Sequence, residues 1–113
     1  MRVLVLLAMT LIPRADPAFA APAVTERPGN AGVLFRHHCQ TCHGAGGPGT
    51  VTLRMRLPKD QSPLLDRRTD IPADFVRAVV RAGIGFMPRF SRIELPDDQL
   101  SAIAGYLARN SSK

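Results

Sequence analysis

The chain has 113 residues, among them ten prolines, nine glycines, two cysteines and no tryptophan, with a formal charge of +6. That length holds one domain at most, and a composition 45% hydrophobic and 21% charged excludes the fibrous and wholly disordered classes. The longest apolar run, Val3–Ile12 with Thr10 inside it, falls short of the about 20 apolar residues that cross a bilayer, and two cysteines make a thin framework for a disulfide-built fold.

Residues 1–20 read as a secretory signal peptide: Arg2 gives a positive start, Val3–Ile12 an apolar segment and Ala18-Phe19-Ala20 a small-x-small cleavage site. The expectation is cleavage after Ala20, export to the periplasm and no membrane span in the mature protein. A retained anchor is the alternative, because Arg14 and Asp16 lie close to the cleavage site. Cleavage removes two arginines and one aspartate, so the charge becomes +5, and leaves Met55 and Met87 as the remaining methionines. So short a mature chain gains only marginal stability from apolar burial, and a large bound group is expected to complete its core.

Residues 21–29 form a polar, proline-containing lead-in to a domain over 30–113. Asn30 is positioned to cap a helix over 31–42, with Val33, Leu34, Phe35 and His38 at helical spacing. Four glycines and a proline over 44–49 end that helix. The stretch 50–70, with Pro58 and Pro63, is irregular in pattern and predicts only a short helical turn near Leu53–Leu57. A second helix is expected from Thr69 or Asp70, with Pro72 in its first turn, an apolar face of Phe75, Val76, Val79 and Val80, and Gly83 as its stop. A loop over 84–95 carries Met87-Pro88. The last helix starts at Pro96, with Asp97 and Asp98 at the positive end of its dipole, Leu100, Ile103, Ala104 and Leu107 as its core stripe, and Arg109 at the negative end. No repeat or strand pair is visible, and the class is all-α with long loops.

Cys39-Gln40-Thr41-Cys42-His43 is a Cys-x-x-Cys-His sequence, the attachment signature of c-type haem. Thiols at i and i+3 near a helix end lie on one side, as two vinyl groups require, and the following imidazole then reaches the iron as proximal ligand. A zinc half-site lacks a second cysteine pair, and His37 and His38 have the wrong spacing for one. A thioredoxin-like pair lacks a βαβ setting. A plain disulfide leaves His43 and the glycine-rich loop unexplained.

Met87 is the candidate distal ligand. It follows His43 by 44 residues, in a loop where Gly83, Gly85 and Pro88 hold the chain close to a flat group. Its thioether is a soft ligand, and a His/Met pair raises the iron potential. Met55 is the rival, but it sits in the basic run Arg54-Met55-Arg56. Arg54, Arg56, Arg67 and Arg68 read as a solvated basic face, from which one guanidinium could pair with a haem propionate.

Phe35-x-x-x-Cys39-x-x-Cys42-His43-Gly44, then Met87-Pro88, then a final helix with Tyr106-Leu107, resembles the small soluble class I cytochromes c. The resemblance implies an all-α fold of three to four helices wrapped around one haem c, held through Cys39 and Cys42 with His43 and Met87 on the iron. It implies Phe35 and Tyr106 at the crossing of the first and last helices, and Pro48 as the residue whose carbonyl accepts the Nδ1–H of His43. Gly32 stands one place from the family's glycine, where this chain has Ala31. Leu64–Asp70 and the Met-Pro loop also look like cytochromes that serve as small subunits of periplasmic dehydrogenases, the flavin-dependent phenol-methylhydroxylating enzymes among them.

The expected function is periplasmic electron transfer between a dehydrogenase donor, flavin or quinone, and a downstream oxidase or other cytochrome. The protein would act as a free shuttle or as a dehydrogenase subunit and would not itself be an enzyme. The alternative is a gas-binding or peroxidatic haem protein with an open distal site, which requires Met87 not to ligate; a haem-free module with one disulfide is a third. Thirteen arginines against two lysines imply guanidinium forks at partner contacts, and a positive rim steers an acidic partner. Nucleic acid is not an expected partner, since one tyrosine gives no stacking platform.

Overall fold

The computed structural model of the protein describes residues 30–111; the expected signal peptide, the lead-in over 21–29 and residues 112 and 113 lie outside the described residues. Four α-helices follow one another: α1 (Ala31–His43), α2 (Pro48–Arg56), α3 (Ala73–Ala82) and α4 (Asp97–Ala108), with a 3₁₀ turn at Leu65–Arg67 between α2 and α3. Among the described residues there is no strand, and the β pairing is confined to an isolated bridge between Ile84 and Met87. The all-α expectation stands.

α1 runs one residue beyond the expected end, to His43, and closes where the Gly44 N–H donates to the Gln40 carbonyl at 2.7 Å. Asn30 makes no side-chain cap bond. The stretch expected to be loop through Gly49 is loop only to Gly47, because α2 begins at Pro48 and spans nine residues rather than one turn. A proline at the first helical position loses nothing by lacking an N–H, and its fixed φ suits the helix. Gly47 sits extended at φ −66°, ψ 154°, and its carbonyl accepts the Val51 N–H at 2.9 Å.

α3 starts at Ala73, later than Thr69 or Asp70, with Pro72 at the cap rather than inside the first turn. Ile71 precedes a proline and is therefore biased away from helical dihedrals. It is buried, and its N–H and carbonyl both bond the Ser111 hydroxyl at 3.0 Å. Asp70 is engaged by Arg68, whose Nε and Nη2 donate at 2.8 and 2.5 Å. Val76 and Val80, four apart, are buried, but Phe75 is 55% exposed. The expected apolar face therefore excludes Phe75, which lies about 100° round the helix from Val76.

α4 presents Leu100, Ile103, Ala104 and Leu107 to the core as expected. It packs against both α1 and α3, and the shared cluster adds Leu34, Phe35, Ile71, Val76, Val80 and Leu95. Phe35 and Tyr106 meet at the α1–α4 crossing, with ring centroids 5.8 Å apart and tilted by 35°. Arg109 lies with its guanidinium carbon 3.9 Å from the Tyr106 ring centroid and donates to the carbonyls of Tyr106 and Asp66. It satisfies the end of α4 and ties it to the 3₁₀ turn.

Candidate functional site

Cys39, Cys42 and His43 fall in the last turns of α1. The helix repeat of 3.6 residues brings i, i+3 and i+4 to one side. Both cysteines are free thiols, Cys39 half-buried and Cys42 exposed. Burial, and secondarily the neighbouring Cys42, push the Cys39 thiol up to about 11. Burial also lowers the pKa of His43, because an apolar setting disfavours the charged ring. The neutral imidazole that results is the form that binds a metal.

The start of α2 forms a seat for that imidazole. A Cβ on Gly49 would stand 3.0 Å from His43 Cε1, 3.1 Å from its Nδ1 and 3.0 Å from the Cys42 carbonyl. A side chain here would press on the ring and on the end of α1, which would have to give by a few tenths of an ångström. Pro48 does not accept from Nδ1: its carbonyl opens α2 and accepts the Thr52 hydroxyl at 2.9 Å, while His43 Nδ1 is buried without a hydrogen-bond partner among the described residues. The resemblance-based role for Pro48 is corrected on that ground, since a residue in the first turn of a helix directs its carbonyl along the helix axis. The fully buried Thr50 hydroxyl is likewise unpartnered.

His43 also lines an open pocket with Phe35, Arg36, Gln40, Asp66 and Tyr106. At about 220 Å³ it is smaller than ordinary cofactor sites of roughly 300–1,000 Å³, and neither cysteine nor Met87 lines it.

Met87 lies on the α3–α4 connection. Its N–H donates to the Ile84 carbonyl at 2.9 Å, and its own carbonyl accepts the Ile84 N–H at 3.2 Å. This tight ring is entered through Gly83, at φ 75° and ψ 162°. Met87 and Cys39 pack, each partly buried, against the same core cluster. The flanking Ile84 and Phe86 are 60% and 97% exposed, and Met55 on α2 is 75% exposed.

Of the basic set, Arg54, Arg56 and Arg67 are exposed. Arg68 is already committed to Asp70 and Gln61. His37 is exposed and His38 half-buried, their rings edge-to-face at 4.6 Å. Sequence patterning singles out neither Thr50 nor Arg81, and marks Gly49 only as part of the helix-breaking run over 44–49. Gly49 and Thr50 follow the motif within a few residues, and the glycine density was the one local sign of a close approach.

Two free thiols, a neutral imidazole with a glycine seat and a thioether packed on the cluster that Cys39 also touches form a donor set that fits a covalently bound haem. The sequence model of the family described as cytochrome c oxidase, cbb3-type, subunit III matches residues 27–107. No curated protein and no solved structure matches the chain.

Proposed function

The chain belongs to that family of c-type cytochrome domains, and from this premise we propose that it is a monohaem electron carrier in which Cys39 and Cys42 hold haem c as thioethers and His43 and Met87 are its axial ligands. Membership carries the all-α cytochrome c fold and haem-based electron transfer with it. When bound, the group supplies one-electron chemistry between ferrous and ferric iron.

The observation that carries the reading is the end of α1: two free thiols and a half-buried, neutral imidazole within five residues, with Gly49 against the ring. Gly49 lets the start of α2 approach the His43 ring closely. Met87 is held by backbone bonds in a four-residue ring, Ile84–Met87, that is entered through a glycine. Such preorganisation keeps both ligands in place through a redox cycle, so the protein reorganises little. The exposed Arg36, Arg54, Arg56, Arg67 and Arg89 offer forks to carboxylates of a partner. That partner would be a flavin or quinone dehydrogenase on one side and an oxidase or another cytochrome on the other. Export to the periplasm belongs to the same proposal and rests on the pattern of residues 1–20. Among the described residues no helix is long and apolar enough to cross a membrane.

The test is an absorption spectrum of the protein made in a bacterium competent for haem c attachment, taken oxidised, reduced, and reduced under carbon monoxide. Low-spin haem c, a thioether–ferric charge-transfer band that disappears in Met87→Ala, and indifference to carbon monoxide are expected. Ready carbon monoxide binding by the wild type would reject the Met87 assignment in favour of an open distal site. Absence of covalent haem would reject the whole reading.

A further inference from the structure

We propose that Arg81 is the positioning residue of the Met87 loop, holding the thioether on the iron by fastening the far half of that loop to α3 and α4. The proposal rests on the Met87 reading above.

The loop over 84–95 has little apolar grip. Ile84, Phe86 and Ile93 are 60%, 97% and 94% exposed, and Leu95 is its one fully buried side chain, while Met87 and Phe90 pack only partly. Its hold must therefore be polar. Arg81, near the end of α3, supplies most of it. Nη1 donates to the carbonyls of Phe90 at 3.0 Å and Ser91 at 3.1 Å. Nη2 donates to the Leu95 carbonyl at 2.8 Å and to Asp97 Oδ1 at 2.7 Å. One guanidinium thus gathers three loop carbonyls and the first residue of α4.

Among the described residues, the other bonds between this loop and the helices are the Phe90 N–H to the Val80 carbonyl at 2.9 Å and Arg92 Nε to Asp97 Oδ2 at 2.8 Å. Arg81 Nε is buried with no partner, a cost that is sustained when the other donors are well used. A guanidinium is the side chain for this task, because its planar fork reaches several acceptors at fixed angles and stays charged. Bonds from a charged donor to carbonyls are also stronger than neutral ones.

Loosening the loop raises the fraction of time that Met87 is off the iron, and exogenous imidazole reports that fraction, since its apparent affinity scales with the population of the open form. The haem-loaded ferric protein is titrated with imidazole as wild type, Arg81→Ala, Arg81→Lys, Asp97→Asn, Ile103→Val and Met87→Ala, with urea unfolding of each followed by circular dichroism. Arg81→Ala is expected to bind imidazole about ten-fold tighter and to lose the thioether band before helix content in urea. Arg81→Lys should fall between it and the wild type. Asp97→Asn, which leaves the carbonyl bonds, should change affinity by less than about three-fold. Ile103→Val lowers global stability by trimming the buried core while leaving every polar bond of the loop in place, and should leave imidazole affinity unchanged.

The proposal is overturned if Arg81→Ala and Ile103→Val shift affinity alike in proportion to their stabilities, since Arg81 would then be merely structural. If Arg81→Ala does not fold, a wild-type affinity in Arg81→Lys overturns it equally. A Met87→Ala protein that binds imidazole no tighter than the wild type rejects the Met87 reading itself, and the proposal falls with it, an outcome the Arg81 variants cannot mimic.

Discussion

Replacing Gly83 by alanine tests how the ligand loop is entered. Gly83 has φ 75° and ψ 162°, a region essentially reserved for glycine, and a side chain there costs of order 1–3 kcal/mol. The new Cβ would also stand 2.9 Å from the Met87 carbonyl oxygen and 3.1 Å from the Arg89 nitrogen. Both are backbone atoms, so relief requires moving the loop, at about 1–3 kcal/mol more. Against this, alanine restricts the unfolded chain and returns roughly 0.4–1 kcal/mol. The net loss is about 1–5.6 kcal/mol, which for a domain of this size lowers Tm by roughly 4 °C or more. Gly85→Ala is the internal control: φ is 58° there too, but nothing lies within 4 Å of the added Cβ, leaving a left-handed penalty of about 1 kcal/mol. Thermal unfolding of both variants by circular dichroism, in the haem-loaded ferric form, measures the difference. Gly83→Ala should also weaken the thioether band at neutral pH where Gly85→Ala does not. Equal losses in the two variants would refute the reasoning, since only Gly83 has backbone in its way.

Arg81 first, then Arg92, hold the Asp97 carboxyl below its ordinary value of 3.8. A carboxyl whose pKa is depressed by folding stabilises the fold above the unfolded value and loses that contribution as pH falls through the folded one. The gap in Tm between wild type and Asp97→Asn should therefore be present at pH 7 and close below about pH 4; a gap unchanged at pH 3 contradicts the ion-pair account. Gly105 lies exposed within α4 with open space at its Cβ, so Gly105→Ala should stabilise by about 0.5–1 kcal/mol in urea unfolding, and no gain would mean that the position is constrained by something outside the helix. A double-mutant cycle of Phe35→Leu and Tyr106→Leu should return a coupling of about 0.5–1.5 kcal/mol from the ring contact. A coupling near zero would mean that the crossing rests on burial alone.

The sequence by itself determined the helical class, the stripe of α4 and the attachment signature on which the haem proposal rests, because each is written in short-range spacing. Leu100, Ile103, Ala104 and Leu107 repeat with the helix, and Cys39, Cys42 and His43 fall within two turns of one another. The Phe35–Tyr106 crossing was also legible, through likeness to a family, and the rings do meet. Tertiary structure decided the rest, because it depends on what distant residues do to local preferences. α2 begins at Pro48, where the glycine-rich run suggested only a break, since a proline that ends one helix serves equally to open the next. Phe75 leaves the core because α4 covers the Val76–Val80 side of α3. Gly49 matters through the His43 ring folded against it, and Arg81 through carbonyls nine to fourteen residues further along the chain. Neither contact has a period that a sequence could display: each arises only when two separate segments are brought to within a few ångströms.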